Sequence, residues 1–242
     1  MTLKRLVLIL SIFTTFSAAA QSMTTLRLTA GAGYRQLVMD IAQYCKKAEQ
    51  LNIEASFGNF GQMKAQITTT GEIEAVIAAK SFFIGHHVQV AQYDSIGRGT
   101  LVLAWRKGVA LQQPVDLNNS AFKRIAIPNL TKALYGRAGK QYLQHQHLYQ
   151  NIKNKLYVTS TVPQVSAYLV TGEVDAGFAN LTDIQKVQDK IGGFMPLTSG
   201  YQPIQIVSAI LPGFSQQEAV TRYRHCLSSD GVNEIIKRHG LR

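Results

Sequence analysis

Two rhythms alternate along the chain. Short, almost wholly apolar runs recur, and between them lie segments whose apolar residues fall at helical spacing. Leu26–Thr29 has strand character and turns on Gly31-Ala32-Gly33 into a helix over Tyr34–Leu51. That helix gathers Leu37, Val38, Ile41, Ala42 and Cys45, with Asp40, Lys46, Lys47 and Glu49 mostly on the other side. Ile53–Phe57 predicts a strand and Gly61–Thr70 a helix, and Ala75–Ala79 a buried, parallel strand. Leu101–Trp105 is a further buried strand, ended by Arg106-Lys107-Gly108. A β-α-β-α-β order of this kind predicts a doubly wound α/β lobe. Residues 108–118 are polar, carry Pro114 and Asp116, and suit a link. A second unit follows: strand Lys123–Ile127, helix Leu134–His147, strand Leu156–Val158, helix Val162–Val170 and strand Val174–Ala179. Gln205–Leu211 is one more apolar strand, and Gln216–Leu227 and Asn233–His239 are closing helices. Two similar α/β lobes imply a cleft between them, with ligand contacts at strand C-terminal ends.

Three strand-to-helix turns share one grammar: the turn at Gly31–Gly33, Ser56–Gln62 (SFGNFGQ) and Pro128–Arg137 (PNLTKALYGR). Each leaves backbone N–H groups at the positive end of a helix dipole, which is an anion site. The competing reading is three ordinary βα turns. Convergence on one anion is the hypothesis the tertiary structure has to meet.

The start of the chain changes the setting. Lys4 and Arg5 precede the apolar run Leu6–Phe16, and Ala18-Ala19-Ala20 supplies an A-x-A pattern. This is a secretory signal peptide, too short to span a membrane, with cleavage expected after Ala20. No cysteine follows to carry a lipid, so residues 21–242 are expected free in the periplasm. The formal charge of +11 includes Lys4 and Arg5, leaving +9 beyond Ala20. That balance favours an anionic partner. The basic residues are scattered and no nucleic-acid motif is present, so nucleic acid is not an expected partner. Cys45 and Cys226 are the only cysteines. In an oxidising compartment they either pair, tying the chain's two ends to one lobe, or stay as buried thiols.

Catalytic and metal chemistry find little support. The chain lacks a G-x-S-x-G elbow, a Walker loop and H-E-x-x-H, and its few acids form no obvious acid–base pair. Glu173 and Asp175 precede a strand and suit capping and hinge packing. Neighbouring His86 and His87 point apart, and His145 and His147 diverge on a helix, so neither pair makes a metal site. Tyr34, Tyr135 and a histidine could hold ferric iron, although no carboxylate is placed to complete the set. No enzyme activity, cofactor or resident metal is expected, and a monomer is.

The order of motifs resembles the periplasmic molybdate-binding proteins of ABC transporters, a type II periplasmic binding fold. The resemblance is carried by LRLTAGAGYRQLVMDIAQYCKK, SFGNFGQMKAQI, EAVIAAK, LVLAWRKG, RIAIPNLTKALYGRAGKQYL and VPQVSAYLVTGEVDAGFANLTDI, of which the last is the most specific. It implies two lobes, 21–107 with 202–242 and 108–201, joined by a two-crossing hinge. Each lobe is expected to be a doubly wound, mostly parallel sheet. It also implies ligand contacts. Serine hydroxyls of the family fall on Gly33 and on Phe60, which Asn59 and Gly61 flank. A backbone donor falls on Tyr135, just before Gly136, another on Val162, and a tyrosine hydroxyl falls on Asn180. The hydroxyl ligands are therefore replaced while the backbone framework remains. Tyr34 and Arg35 stand beside the first turn, Arg137 beside the third, and Lys80 at a strand end where the family has an acid. Arginine forks and a lysine charge around one cleft would suit a ligand that needs explicit charge pairing. Their competing reading is solvent-facing cations at helix starts.

The expected function is a solute-binding protein of an ABC importer. It would hold a small anion, molybdate-like or organic, in the interlobe cleft and present it to an inner-membrane permease. A sensor or adaptor on the same scaffold, or a ferric-iron variant, is the alternative.

Overall fold

The computed structural model describes residues 23–109 and 116–241. The expected signal peptide and much of the expected 108–118 link lie outside the described residues. The first half of the chain runs β1 (Thr24–Gly31), a 3-10 turn (Ala32–Tyr34), α1 (Arg35–Ala48), β2 (Leu51–Gly58), α2 (Phe60–Thr70), β3 (Ala75–Ala79), α3 (Lys80–His86), β4 (Gln92–Gly99) and β5 (Leu101–Trp105). Then come β6 (Ile125–Pro128), α4 (Leu134–His145), α5 (Tyr149–Ile152), β7 (Leu156–Thr159), α6 (Val162–Thr171), β8 (Ala176–Asn180), α7 (Leu181–Ile184), β9 (Gly193–Leu197), β10 (Ile204–Ile210), α8 (Glu218–Leu227) and α9 (Asp230–Arg238).

The strands form two five-stranded sheets, β2-β1-β3-β10-β4 and β7-β6-β8-β5-β9. In the first, β1 pairs in parallel with β2 and β3, and β10 runs antiparallel to β3 and β4. The second repeats the scheme, with β6 parallel to β7 and β8 and β5 antiparallel to β8 and β9. Each sheet is thus mixed: four strands share a direction and one, β10 or β5, is reversed. That reversed strand corrects the expected place of Leu101–Trp105, which lies in the second sheet and not the first. The reason is physical. Leu101, Val102, Leu103 and Ala104 are all buried, so the run has no polar face to say which sheet covers it. The chain accordingly crosses between sheets at Thr100, whose carbonyl accepts the N–H of Leu181 at 3.0 Å, and again between β9 and β10.

Local chemistry accounts for the helices that matter here. In α1, Leu37, Val38, Ile41 and Cys45 are buried at helical spacing. Cys45 is bonded to Cys226 of α8, Cα to Cα 5.7 Å, which decides between the two readings of the cysteines. The bridge fastens the C-terminal helices to the first lobe. Helices α2 and α6 stop at Gly71 and Gly172, both left-handed, with φ of 63° and 78°. Among the described residues no helix is long and apolar enough to cross a membrane.

Strand β4 had no apolar signature. Its sequence QYDSIGRG is polar with two glycines, and it forms an edge of the first sheet.

Candidate functional site

A cavity of about 40 Å³ lies where the two sheets' helix starts meet. Its lining comes from four helix entrances: Gly31–Tyr34 after β1, Gly58–Phe60 after β2, Ala133–Tyr135 at α4 and Thr161–Val162 at α6. Ala78 and Ala79 at the end of β3 complete it. These are C-terminal ends of strands and N-terminal ends of helices, so free N–H groups and positive dipole ends share one space. The lining holds no carboxylate.

The four entrances are not alike. At α2 the Asn59 side chain accepts from Gln62 N, and Gln62 Oε1 accepts from Asn59 N at 2.8 Å, a capping box. The Phe60 N–H is used as well, donating across the cleft to Lys132 O at 2.9 Å. At α6 a second capping box joins Thr161 and Gln164, and Pro163 has no N–H, so Val162 supplies the first-turn donor. The 3-10 turn after Gly31 and helix α4 after Ala133 have no side-chain cap. Their first-turn N–H groups therefore have no local acceptor.

From each uncapped entrance a tyrosine reaches the seam between lobes. Tyr34 and Tyr135 are buried, and their hydroxyls meet at 2.5 Å. Burial pushes both phenols well above the ordinary tyrosine range. For Tyr34 the hydrogen bonds from Tyr135 and Asn180 offset only part of that, and for Tyr135 the neighbouring Tyr34 adds to it. Both remain protonated at neutral pH, one donating to the other. Gly99, at the crossing, makes room for them: a Cβ there would lie 2.2 Å from the Tyr135 hydroxyl and 2.7 Å from that of Tyr34. Asn180 is fully buried, and its Nδ2 donates to Gly33 O at 3.1 Å across the cleft while its Oδ1 accepts from Asp183 N.

Of the residues singled out by sequence, Gly33, Tyr34, Asn59, Phe60, Tyr135 and Val162 line the cavity. Gly61, Gly136 and Asn180 adjoin it without lining it. Gly136 has a packing reason, since a Cβ there would lie 2.2 Å from Pro128 O. The cations do not ring the cavity as expected. Arg35 is exposed and lies 4.1 Å from the Phe57 ring centroid, and Lys80 is exposed with Nζ 5.6 Å from that of Tyr93. Helix starts direct these long side chains outward over neighbouring aromatic rings. Arg137 is half-buried 4.8 Å over Phe60, outside the lining. His86 packs edge-on to Phe60, and its pKa is lowered by burial first and then by Lys64, Arg137 and His87.

Sequence reasoning passed over Gly99, Ala133 and Thr161. The T-x-x-Q of Thr161–Gln164 ahead of VSAYLV was a legible capping-box signal. Gly99 had none, because its role depends on two tyrosines from other segments.

The model of the family described as bacterial extracellular solute-binding protein matches residues 26–242. A molybdate-binding protein of Azotobacter vinelandii is 27% identical over 233 residues, 92% of each chain. Among solved structures, the periplasmic molybdate-binding protein of Azotobacter vinelandii superposes with a TM-score of 0.79 at 22% identity, covering 90% of this chain and 98% of that one. The sulfate-binding protein SubI of Mycobacterium tuberculosis gives 0.73 at 12% identity, covering 90% and 86%.

Proposed function

The chain belongs to the bacterial extracellular solute-binding protein family, and on that premise we propose that it captures a small oxyanion in the periplasm and hands it to an ABC permease. Solute capture, not catalysis, is the family's task. One observation carries the anion reading: four helix entrances, two from each lobe, converge on a cavity lined without a carboxylate. Each helix start presents roughly half a positive charge and unpaired N–H groups, so an anion there replaces its hydration shell with fixed donors. The uncapped entrances at Gly31–Tyr34 and Ala133–Tyr135 would contribute most, with Gly61 and Val162 adding single N–H groups. The Tyr34 and Tyr135 hydroxyls, held protonated by burial, bond to each other, so one O–H is committed within the pair and one is left to donate in place of the serine and tyrosine hydroxyls that the resemblance leads one to expect. Molybdate and sulfate, named for the relatives above, are the kind of ligand a donor-only cage suits.

Closure of the lobes is the second element. Phe60 N to Lys132 O, Asn180 to Gly33 O and the tyrosine pair all span the cleft, so a ligand bound here is held between lobes that already bond to one another.

The test is a calorimetric and thermal-shift titration with molybdate, tungstate, sulfate and phosphate. At least one should raise the melting temperature, since a ligand at a hundred times its Kd adds about 2.7 kcal/mol. Absence of binding by all four would remove the oxyanion reading. The meeting of Tyr34 and Tyr135 favours a second reading, ferric iron. Iron requires phenolates, which burial opposes, and the described residues contain no cluster of three or more His, Cys, Asp or Glu. A phenolate-to-iron charge-transfer band on adding ferric citrate would exchange the two readings.

A further inference from the structure

Arg137 differs from the other partly buried arginines. Arg106 is paired with Asp175, Arg222 with Glu218 and Arg224 with Asp94. Arg137 makes no ion pair among the described residues, and burial uncompensated by a carboxylate draws its pKa below the usual arginine range. Its guanidinium lies 4.8 Å from the centroid of Phe60, a wall of the anion cavity. It also lines a second cavity of about 140 Å³ in the seam between lobes. Leu134 lines both spaces. Leu134, Arg137, Ala138 and Gln141 fall at i, i+3, i+4 and i+7 of α4 and form one wall of the second. Ser81 and Gln202 face them from the first lobe. Gln141 Oε1 already accepts from Gln202 N at 3.1 Å, which leaves the Gln141 amide N–H₂ as a donor.

Resting on the oxyanion reading above, we propose that this second cavity is a carboxylate subsite and that the ligand is a small organic oxyanion. Its tetrahedral head would lie among the helix starts. Its carboxylate would pass Leu134 and meet the planar fork of Arg137, which matches a carboxylate with two parallel bonds where an ammonium offers a single point charge. Ser81 Oγ and the Gln141 amide supply neutral donors from opposite sides of the seam. A carboxylate held there is bonded by both lobes, so it favours the closed arrangement. The cation–π contact with Phe60 couples the subsites: the ring that walls the head also seats the guanidinium.

Matched pairs of ligands test this by calorimetry: inorganic phosphate against 2-phosphoglycolate, and sulfate against sulfoacetate. The carboxylate-bearing member should bind at least about tenfold more tightly, the scale of one charge-assisted bidentate contact. Arg137→Gln should bring that ratio to about one, and Arg137→Lys should restore only part of it. Ser81→Ala should lower it about two- to threefold, and it gives the same information should the arginine variants fail to fold. Equal affinities within each pair for the unaltered protein, or a ratio that survives Arg137→Gln and Ser81→Ala, would overturn the subsite. Binding of molybdate or tungstate with no binding of either carboxylate-bearing anion would overturn the subsite alone, whereas failure of molybdate, tungstate and all four paired anions would remove the oxyanion reading itself, and the subsite with it. The bare-oxyanion arm keeps the two failures distinct.

Discussion

The two lobes are variations on one plan, and the comparison shows which parts of the plan make the site. In each, a central strand leads through an uncapped turn into a helix, β1 into α1 and β6 into α4. In each, an edge strand leads into a helix closed by its own capping box, β2 into α2 and β7 into α6. Each uncapped turn carries a tyrosine, and the two tyrosines meet. The reversed strand in each sheet, β10 or β5, belongs to a chain segment that has just crossed from the other lobe. Donors are thus shared evenly, while the fastening is not. The first lobe is tied through a disulfide closing a sequence separation of 181 residues. The second is tied through Asp175, which accepts from Arg106 Nε and from the backbone N–H groups of Lys123 and Arg124. The cations differ too: Arg35 beside the first tyrosine faces solvent, whereas Arg137 beside the second is in the seam.

Breaking the fastenings separates the lobes most clearly. Replacing Cys45 and Cys226 together by serine should cost about 3–5 kcal/mol in urea unfolding, because so long a loop regains its freedom in the unfolded chain. Asp175→Asn should cost about 2–3 kcal/mol and act on the second lobe, since two backbone N–H groups and Arg106 lose a charged acceptor. Its pH dependence has a definite sign. Burial pushes the Asp175 carboxyl up, but its bonds with Arg124, Lys123 and Arg106 outweigh burial and hold it below the usual carboxylate value. The stability it confers is present above about pH 4 and lost as pH falls through the lower folded-state value. Asp175→Asn should lose less stability in acid than the unaltered protein, the remaining loss coming from carboxylates such as Asp40, which burial raises but bonds with His239 and Gln36 hold low.

The symmetric element is the tyrosine pair, and Gly99→Ala tests it. A methyl group driven between the hydroxyls should cost about 1–3 kcal/mol and weaken oxyanion binding, measured by unfolding and calorimetry. The same pair predicts alkaline sensitivity. Phenols raised in the folded state contribute stability that is whole below about pH 10 and lost as pH rises toward their folded-state values. The smallest effect belongs to Arg35→Ala, which removes an exposed stack on Phe57 and should change stability by no more than about 1 kcal/mol.

Much of this was legible in the chain. Helices α1, α2, α4 and α6 announce themselves by apolar spacing and by their turns, and half of the proposed contacts, from Gly33 to Val162, line the cavity. Errors fell where the local signal was silent. Arg35 and Lys80 sit at helix starts, where adjacency in sequence says nothing about which way a long side chain leans. Asn180, expected among the ligand contacts at the place of a tyrosine hydroxyl, donates instead to Gly33 O and so helps hold the lobes together.

Periodicity and turn chemistry are properties of neighbouring residues, so the sequence alone determined the alternation of strands and helices, the two-lobe class and the helix starts that could receive an anion. Which sheet takes a fully buried strand such as Leu101–Trp105 depends on partners far away in the chain, and local pattern carries no record of them. The same holds for the Cys45–Cys226 bridge, the meeting of Tyr34 and Tyr135 over Gly99, and the placing of Arg137 in the seam. Those were decided by long-range packing, where burial and hydrogen bonding across the lobes select one arrangement from many that the local sequence allows.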